Sequence, residues 1–213
     1  MLKFLAKRTL LVMAYPRRIE PAAILDFSLQ IIDEKGFAGL SARALADRLG
    51  VKAASLYRHM ATFDQLKFRL AELAATQLGE QLQLSLDRLP NGSPPARLAA
   101  LAWAFVLWAE QFPGRYDALA AEPNSGPGMQ ALRALIASAV SQLIGPDGGR
   151  DGGRDGGRDG GPDAVAASHP LLATHAVLAF LHGHVMLGRC GLGTPYAGPD
   201  GFERGLVALL RGL

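Results

Sequence analysis

Apolar residues recur at three- and four-residue spacing from Pro21 almost to the C-terminus, and no stretch alternates apolar with polar residues as a half-buried strand must. The chain is therefore expected to be all-α. From Pro21 to about Lys35, Ile24, Phe27 and Ile31 fall on one stripe that Leu25, Leu29 and Ile32 widen, and Gly36 stops it. Ser41 reads as the cap of a short helix whose Leu45 and Leu49 share a face, and Gly50 reads as the residue just past its end. Only Val51 and Lys52 separate it from a second short helix, about Ala53 to His59. Thr62 with Gln65 three residues on forms a capping box that opens a long helix toward Leu89.

Pro90-Asn-Gly-Ser-Pro-Pro95 then breaks the chain, and further helices are expected over about Ala96–Phe112, Arg115–Ala121, Gly128–Ile144, Pro170–Arg189 and Pro199–Leu210. Between the third and fourth of these, Asp-Gly-Gly-Arg occurs three times from Asp147 to Arg158, followed by Asp-Gly-Gly-Pro. Such a segment has nothing to bury against its ordering entropy, so 145–168 reads as a flexible insert.

At 213 residues and 49% hydrophobic, the chain is long and apolar enough for one large domain or two small ones. A disulfide-stapled miniprotein is excluded, because the lone Cys190 has no partner; a reducing, cytoplasmic setting fits. The longest uncharged apolar run is read as Leu98–Ala109, short of the ~20 residues that cross a bilayer, so no membrane partner is expected. The basic start has too short an apolar stretch for a signal peptide, and Met13 offers a second start that would leave 1–12 as an extension. Charge is unevenly spread. Residues 1–70 carry 12 Lys/Arg against 6 Asp/Glu, whereas the rest carry 10 against 13. A basic N-terminal module on an acidic body suits contact with a polyanion.

Two short helices joined by a tight glycine turn, behind a hydrophobic helix, form a helix-turn-helix reader of DNA; a plain helical hairpin is the blander reading. Ala46 is small where the helices cross, and Val51 and Leu56 anchor the second from beneath. Lys52, Ala53, Ser55, Tyr57, Arg58 and His59 are left to face a major groove, and the small Ala53 and Ala54 let the helix start approach closely. The segment Ile24 to Leu66, with Gly-Phe, Leu-Ser, Leu-Ala-x-x-Leu-Gly-Val and Ser-Leu-Tyr-x-His, resembles the DNA-binding domain of the TetR family of bacterial transcription regulators, nearest its tetracycline-repressor branch. That resemblance implies that Arg43 reaches a guanine edge. It also implies that Tyr57 and the backbone at Ala53–Ala54 meet bases or thymine methyls, and that Ser55 and His59 hold phosphates. Ser41, as the cap, belongs to the same surface. Phe63 stands where the family usually has a phosphate-contacting lysine; Lys67, Arg58 or Lys52 supplies that charge, or DNA affinity is weak.

Farther on, Phe-Pro-Gly-Arg-Tyr-Asp and Leu-His-Gly-His loosely resemble a ligand-domain subgroup of that family, with Leu178 where the subgroup has Trp. The helix Ala96–Phe112 is apolar all round, so its aromatics are either core or cavity lining. As lining, the candidates are Trp103, Phe105, Trp108, Tyr116 and His182. His175 and His182 lie ~10 Å apart along one helix face and His184 points elsewhere, so no metal site is expected, nor any cofactor. The expected molecule is a homodimeric regulator, by family default a repressor. Residues 13–66 would read a palindromic operator in double-stranded DNA, and 67–213 would dimerise and bind a small-molecule effector. The rival is a helical enzyme or metal protein using His175, His182 and Cys190; with no catalytic motif elsewhere, an enzyme is not expected.

Overall fold

The computed structural model describes residues 20–121, 126–144, 162–191 and 199–211, and among these there is no strand. Helix α1 (Pro21–Lys35) starts with proline in its first turn. A short 3-10 turn, Phe37–Gly39, leads to α2 (Ala42–Leu49), α3 (Ala53–Leu56) and α4 (Phe63–Asp87). The body continues with α5 (Pro94–Gln111), α6 (Pro113–Ala121), α7 (Pro127–Ile144), α8 (Pro162–Arg189) and α9 (Pro199–Arg211).

Apolar side chains collect in two cores. The smaller joins Ile24, Ile31, Ile32, Leu45 and Leu56 of the first three helices to Leu66 and Leu70 of α4. The larger is built from α4 onward around Leu78, Leu82, Leu101, Phe105, Ile136, Val177 and Leu181. Burying one such leucine or isoleucine contributes roughly 1.5–3 kcal/mol, so each core outweighs any single polar contact near it. The boundary expected between 66 and 67 falls inside α4, a single 25-residue helix that serves both cores. Ala118 of α6 also sits in the smaller core. The backbones of α1 and α6 nearly touch: a Cβ on Gly114 would stand 1.9 Å from the Ile32 carbonyl oxygen.

Helix α8 departs from expectation at its start. Residues 162–168, assigned above to the flexible insert, form its first turns, while 145–161 lie outside the described residues. Pro170, read as a helix start, is instead inside the helix, and Thr174 Oγ1 donates to its carbonyl at 2.7 Å. The longest apolar run also needs correcting. Pro170–Arg189 is long and apolar enough, by length and composition, to cross a bilayer, but one such helix does not indicate a membrane partner. Only one stripe of it is core: Ala173, Val177, Leu181 and Val185, four residues apart, are buried, whereas Leu171, Leu172 and Leu187 are at least half exposed.

Candidate nucleic-acid interface and effector cavity

The reader is fixed by local chemistry. Ser41 Oγ accepts the Ala44 amide at 3.1 Å and so caps α2. Gly50 adopts the left-handed conformation at φ 69°, which costs a glycine little, and its amide donates back into α2. Val51 N–H donates to the Ala46 carbonyl at 3.0 Å, setting the angle between α2 and α3. Helix α3 is one turn long and buries only Leu56. The chain stays wound beyond it, because the His59 amide donates to the Leu56 carbonyl at 2.8 Å.

Lys52, Ala53, Ala54, Tyr57, Arg58 and His59 are all exposed, and Ser55 is half-buried. The expected groove-facing set is thus exposed on and just after α3, and on α2 the Arg43 side chain is 93% exposed and 4.0 Å from Asp47. Arg58 reaches Ser55 Oγ at 3.3 Å. Arg48 is not part of this surface: it is paired with Glu34, and that hydrogen bond holds the Glu34 carboxyl below the usual range and raises the guanidinium. Thr62 caps α4 through the Gln65 amide at 3.0 Å. Phe63 packs against the reader core, so the family's lysine position contributes no charge here. One turn on, Lys67 lies 3.4 Å from Asp64 and 5.7 Å from the centre of the Phe63 ring.

In the body, α5, α6, α7 and α8 line a half-open cavity of about 200 Å³. Phe105, Tyr116 and His182 line it, as expected. Trp103 and Trp108 do not. Trp103 donates through Nε1 to Glu203 at 3.1 Å and lies 4.6 Å from the Phe202 ring; Trp108 packs on Phe112 and borders a separate cleft with Leu84 and Arg88. The cause is helical geometry. Residues 103 and 105 point about 160° apart, and 108, on the same side of the helix as 105, lies ~4.5 Å farther along it, beside Leu84 and Arg88.

Tyr116 OH and His182 Nδ1 are 2.6 Å apart. Burial pushes the Tyr116 phenol up to about 12, with Arg189 above its ring pulling the other way and Asp117 adding to the rise. Because the folded-state value exceeds the ordinary 10, this group's stabilising contribution is complete below pH 10 and is lost as pH climbs toward 12. Phenolate absorbance of the folded protein should therefore include a late component that Tyr116→Phe lacks. Coincident titration of every tyrosine near pH 10 would contradict the burial.

Residues without an expected role prove central to the geometry. Arg115 forms a two-pronged pair with Asp33 of α1, at 2.9 and 2.6 Å, and reaches Gln77 of α4 at 3.0 Å. Glu72 of α4 accepts the Gly128 amide at 2.8 Å at the start of α7. Arg189 pairs with Asp117 and donates to the Pro113 carbonyl. The sequence signal was present in Pro-Gly-Arg-Tyr-Asp, where a helix start carries a glycine and three groups able to bridge neighbouring helices. His175 and Cys190 are exposed, and among the described residues no three His, Cys, Asp or Glu side chains gather as a metal-ligand set.

Residues 24–65 match the family described as "Bacterial regulatory proteins, tetR family". The chain is 30% identical over 95 residues to the uncharacterized HTH-type transcriptional regulator YobS of Bacillus subtilis, covering 45% of this chain and 48% of that one. It spans about half the length of the curated relatives it matches. Among solved structures, it resembles a possible TetR family regulator from Streptomyces coelicolor (TM-score 0.62, 20% identity), over 91% of this chain and 98% of that one. It also resembles AibR in complex with isovaleryl coenzyme A and operator DNA (TM-score 0.55, 16% identity), over 89% and 96% respectively. At these identities the structural likeness is one of fold.

Proposed function

We propose that this chain, whose residues 24–65 match the tetR family of bacterial regulatory proteins, is a cytoplasmic, homodimeric repressor that leaves a palindromic operator when a small molecule fills the body cavity. The observation that carries this reading is the reader surface. A one-turn helix held by a single buried leucine offers Lys52, Ala53, Ala54, Tyr57, Arg58 and His59 to one partner face. Residues 13–66 act as the reader and 67–213 as the effector and dimerisation body. Arg43 takes a guanine edge; Tyr57 with the Ala53–Ala54 backbone meets bases; Ser55, Arg58, His59, Lys52 and Lys67 serve the phosphates, with Ser41 holding the helix start in place.

Dimerisation is supported by the open face of α8 and α9, where Leu171, Leu172, Met186, Leu187 and Val207 lie exposed. A two-fold protein then matches a two-fold operator. Coupling is supported by α6. Along nine residues it sets Gly114 against α1, pairs Arg115 with α1 and α4, aims Tyr116 into the cavity and buries Ala118 in the reader core. A ligand that prefers one placement of Tyr116 thereby biases the reader, and operator DNA must weaken that ligand's binding by the same factor. AibR, a protein of this fold, has been seen in complex with isovaleryl coenzyme A and operator DNA.

Arg43→Ala should lower affinity for a selected operator by ~1–3 kcal/mol and relax preference at one base pair in each half-site. Lys52→Ala, by contrast, should weaken all sequences alike and flatten the salt dependence. Gel-shift titrations on the operator and its point variants check both. An unchanged base preference in Arg43→Ala would overturn the assigned reading geometry.

A further inference from the structure

The cavity's chemistry is lopsided. Its walls are apolar, chiefly Phe105, Leu119, Met129, Leu132, Ile136 and Leu178, while its polar side chains are Tyr116, His182 and Arg133. Among the described residues, no carboxylate lines it. We propose that its ligand is an amphipathic anion, a monocarboxylate on one aromatic ring or on a chain of about six to eight carbons, whose head pairs with Arg133 and accepts a hydrogen bond from Tyr116–His182. The proposal rests on the cavity being the effector site and names the class of that effector.

Arg133 is an exposed arginine, as Arg88 and Arg204 are, but it alone of these three borders this cavity, and three other arginines of the body are held by protein acceptors. Arg97 donates to the Leu86 carbonyl, Arg115 grips Asp33, and Arg189 pairs with Asp117. Arg133, at the exposed edge of the cavity, closes on no acceptor among the described residues. An anion beside it gains a charge-assisted, two-pronged partner, whereas an ammonium there is repelled. The nearby Asp117 offers a cation nothing, since Arg189 already holds it.

The Tyr116–His182 pair points the same way. If the phenol donates to Nδ1, the ring proton sits on Nε2; if Nδ1–H donates, the phenol hydrogen is free. In both arrangements the pair keeps one donor for a ligand oxygen. Size sets the body of the ligand: a cavity of ~150 Å³ takes a benzene ring, so about 200 Å³ holds one ring or a short chain with the head at the mouth.

The test is calorimetric titration of the full chain with phenylacetate and octanoate against phenylacetamide, octanamide and octylamine. Each carboxylate should bind at least ten-fold tighter than its amide, and octylamine should bind weakest. Arg133→Gln should erase the carboxylate preference while leaving the amide affinity and Tm unchanged. Ala120→Trp, at an exposed lining position, should abolish binding of all probes without unfolding the chain. Equal affinity for acid and amide, a preference that survives Arg133→Gln, or no binding at millimolar probe by folded protein would each overturn the proposal. Operator binding is measured separately. Specific DNA binding that persists with the cavity saturated by carboxylate removes the effector reading alone, whereas a missing carboxylate preference beside ligand-free DNA binding removes the ligand class alone.

Discussion

Gly114→Ala should destabilise the protein by about 3 kcal/mol, because the added methyl must displace a backbone carbonyl rather than a flexible side chain. The obstacle is the Ile32 oxygen at 1.9 Å, with its carbonyl carbon at 2.7 Å. Trimming the Ile32 side chain therefore gives no relief. In a chain of this size the loss corresponds to a Tm drop of roughly 6–12 °C. Gly79→Ala provides the opposite sign within the same fold. It lies inside α4 with nothing within 4 Å of a new Cβ, so alanine should stabilise by roughly 0.5–1 kcal/mol. Thermal melts of the two variants side by side check the pair, and a Gly114→Ala protein as stable as the parent would show that α1 and α6 are not held this closely.

Leu171→Asp with Leu172→Asp should leave a folded monomer whose operator affinity falls about a thousand-fold, to the level of non-specific binding. Both side chains are about two-thirds exposed in the single chain, so folding does not depend on them. A dimer seam does, because two charges placed in an apolar contact are desolvated without partners. Size-exclusion chromatography with light scattering reads the first effect and gel shift the second. A variant that stays dimeric and keeps its operator affinity would move the seam off this end of α8.

The reader was legible in the amino-acid sequence because its signals are local. Ser41, Gly50 and Thr62 each act within four residues of their own position, and the structure has them capping, turning and capping. The cavity was only partly legible. Phe105, Tyr116 and His182 come together, but a helix apolar on every side carries no mark of which face meets a ligand, and Trp103 and Trp108 turned to other neighbours. The partners of Arg115 and Glu72 were hidden for another reason: they lie 82 and 56 residues away, so although Pro-Gly-Arg-Tyr-Asp marked Arg115 as a bridging group, no local pattern named Asp33 or Gly128. The start of α8 was hidden by Pro170, since proline is far commoner at a helix start than inside one.

Helix α4 carries leucines of the reader at one end and of the body at the other, without a break. At ~1.5 Å per residue it is a rod of about 37 Å, so a tilt of about 5° at the body end sweeps the reader end through about 3 Å. That is close to the ~3.4 Å between successive nucleotides of one strand. With the pivot at the body end, a shift of about 2 Å where Glu72 holds α7 grows to about 3 Å at the far end, so on the proposed operator a small tilt of this one helix would cost about one nucleotide step of register.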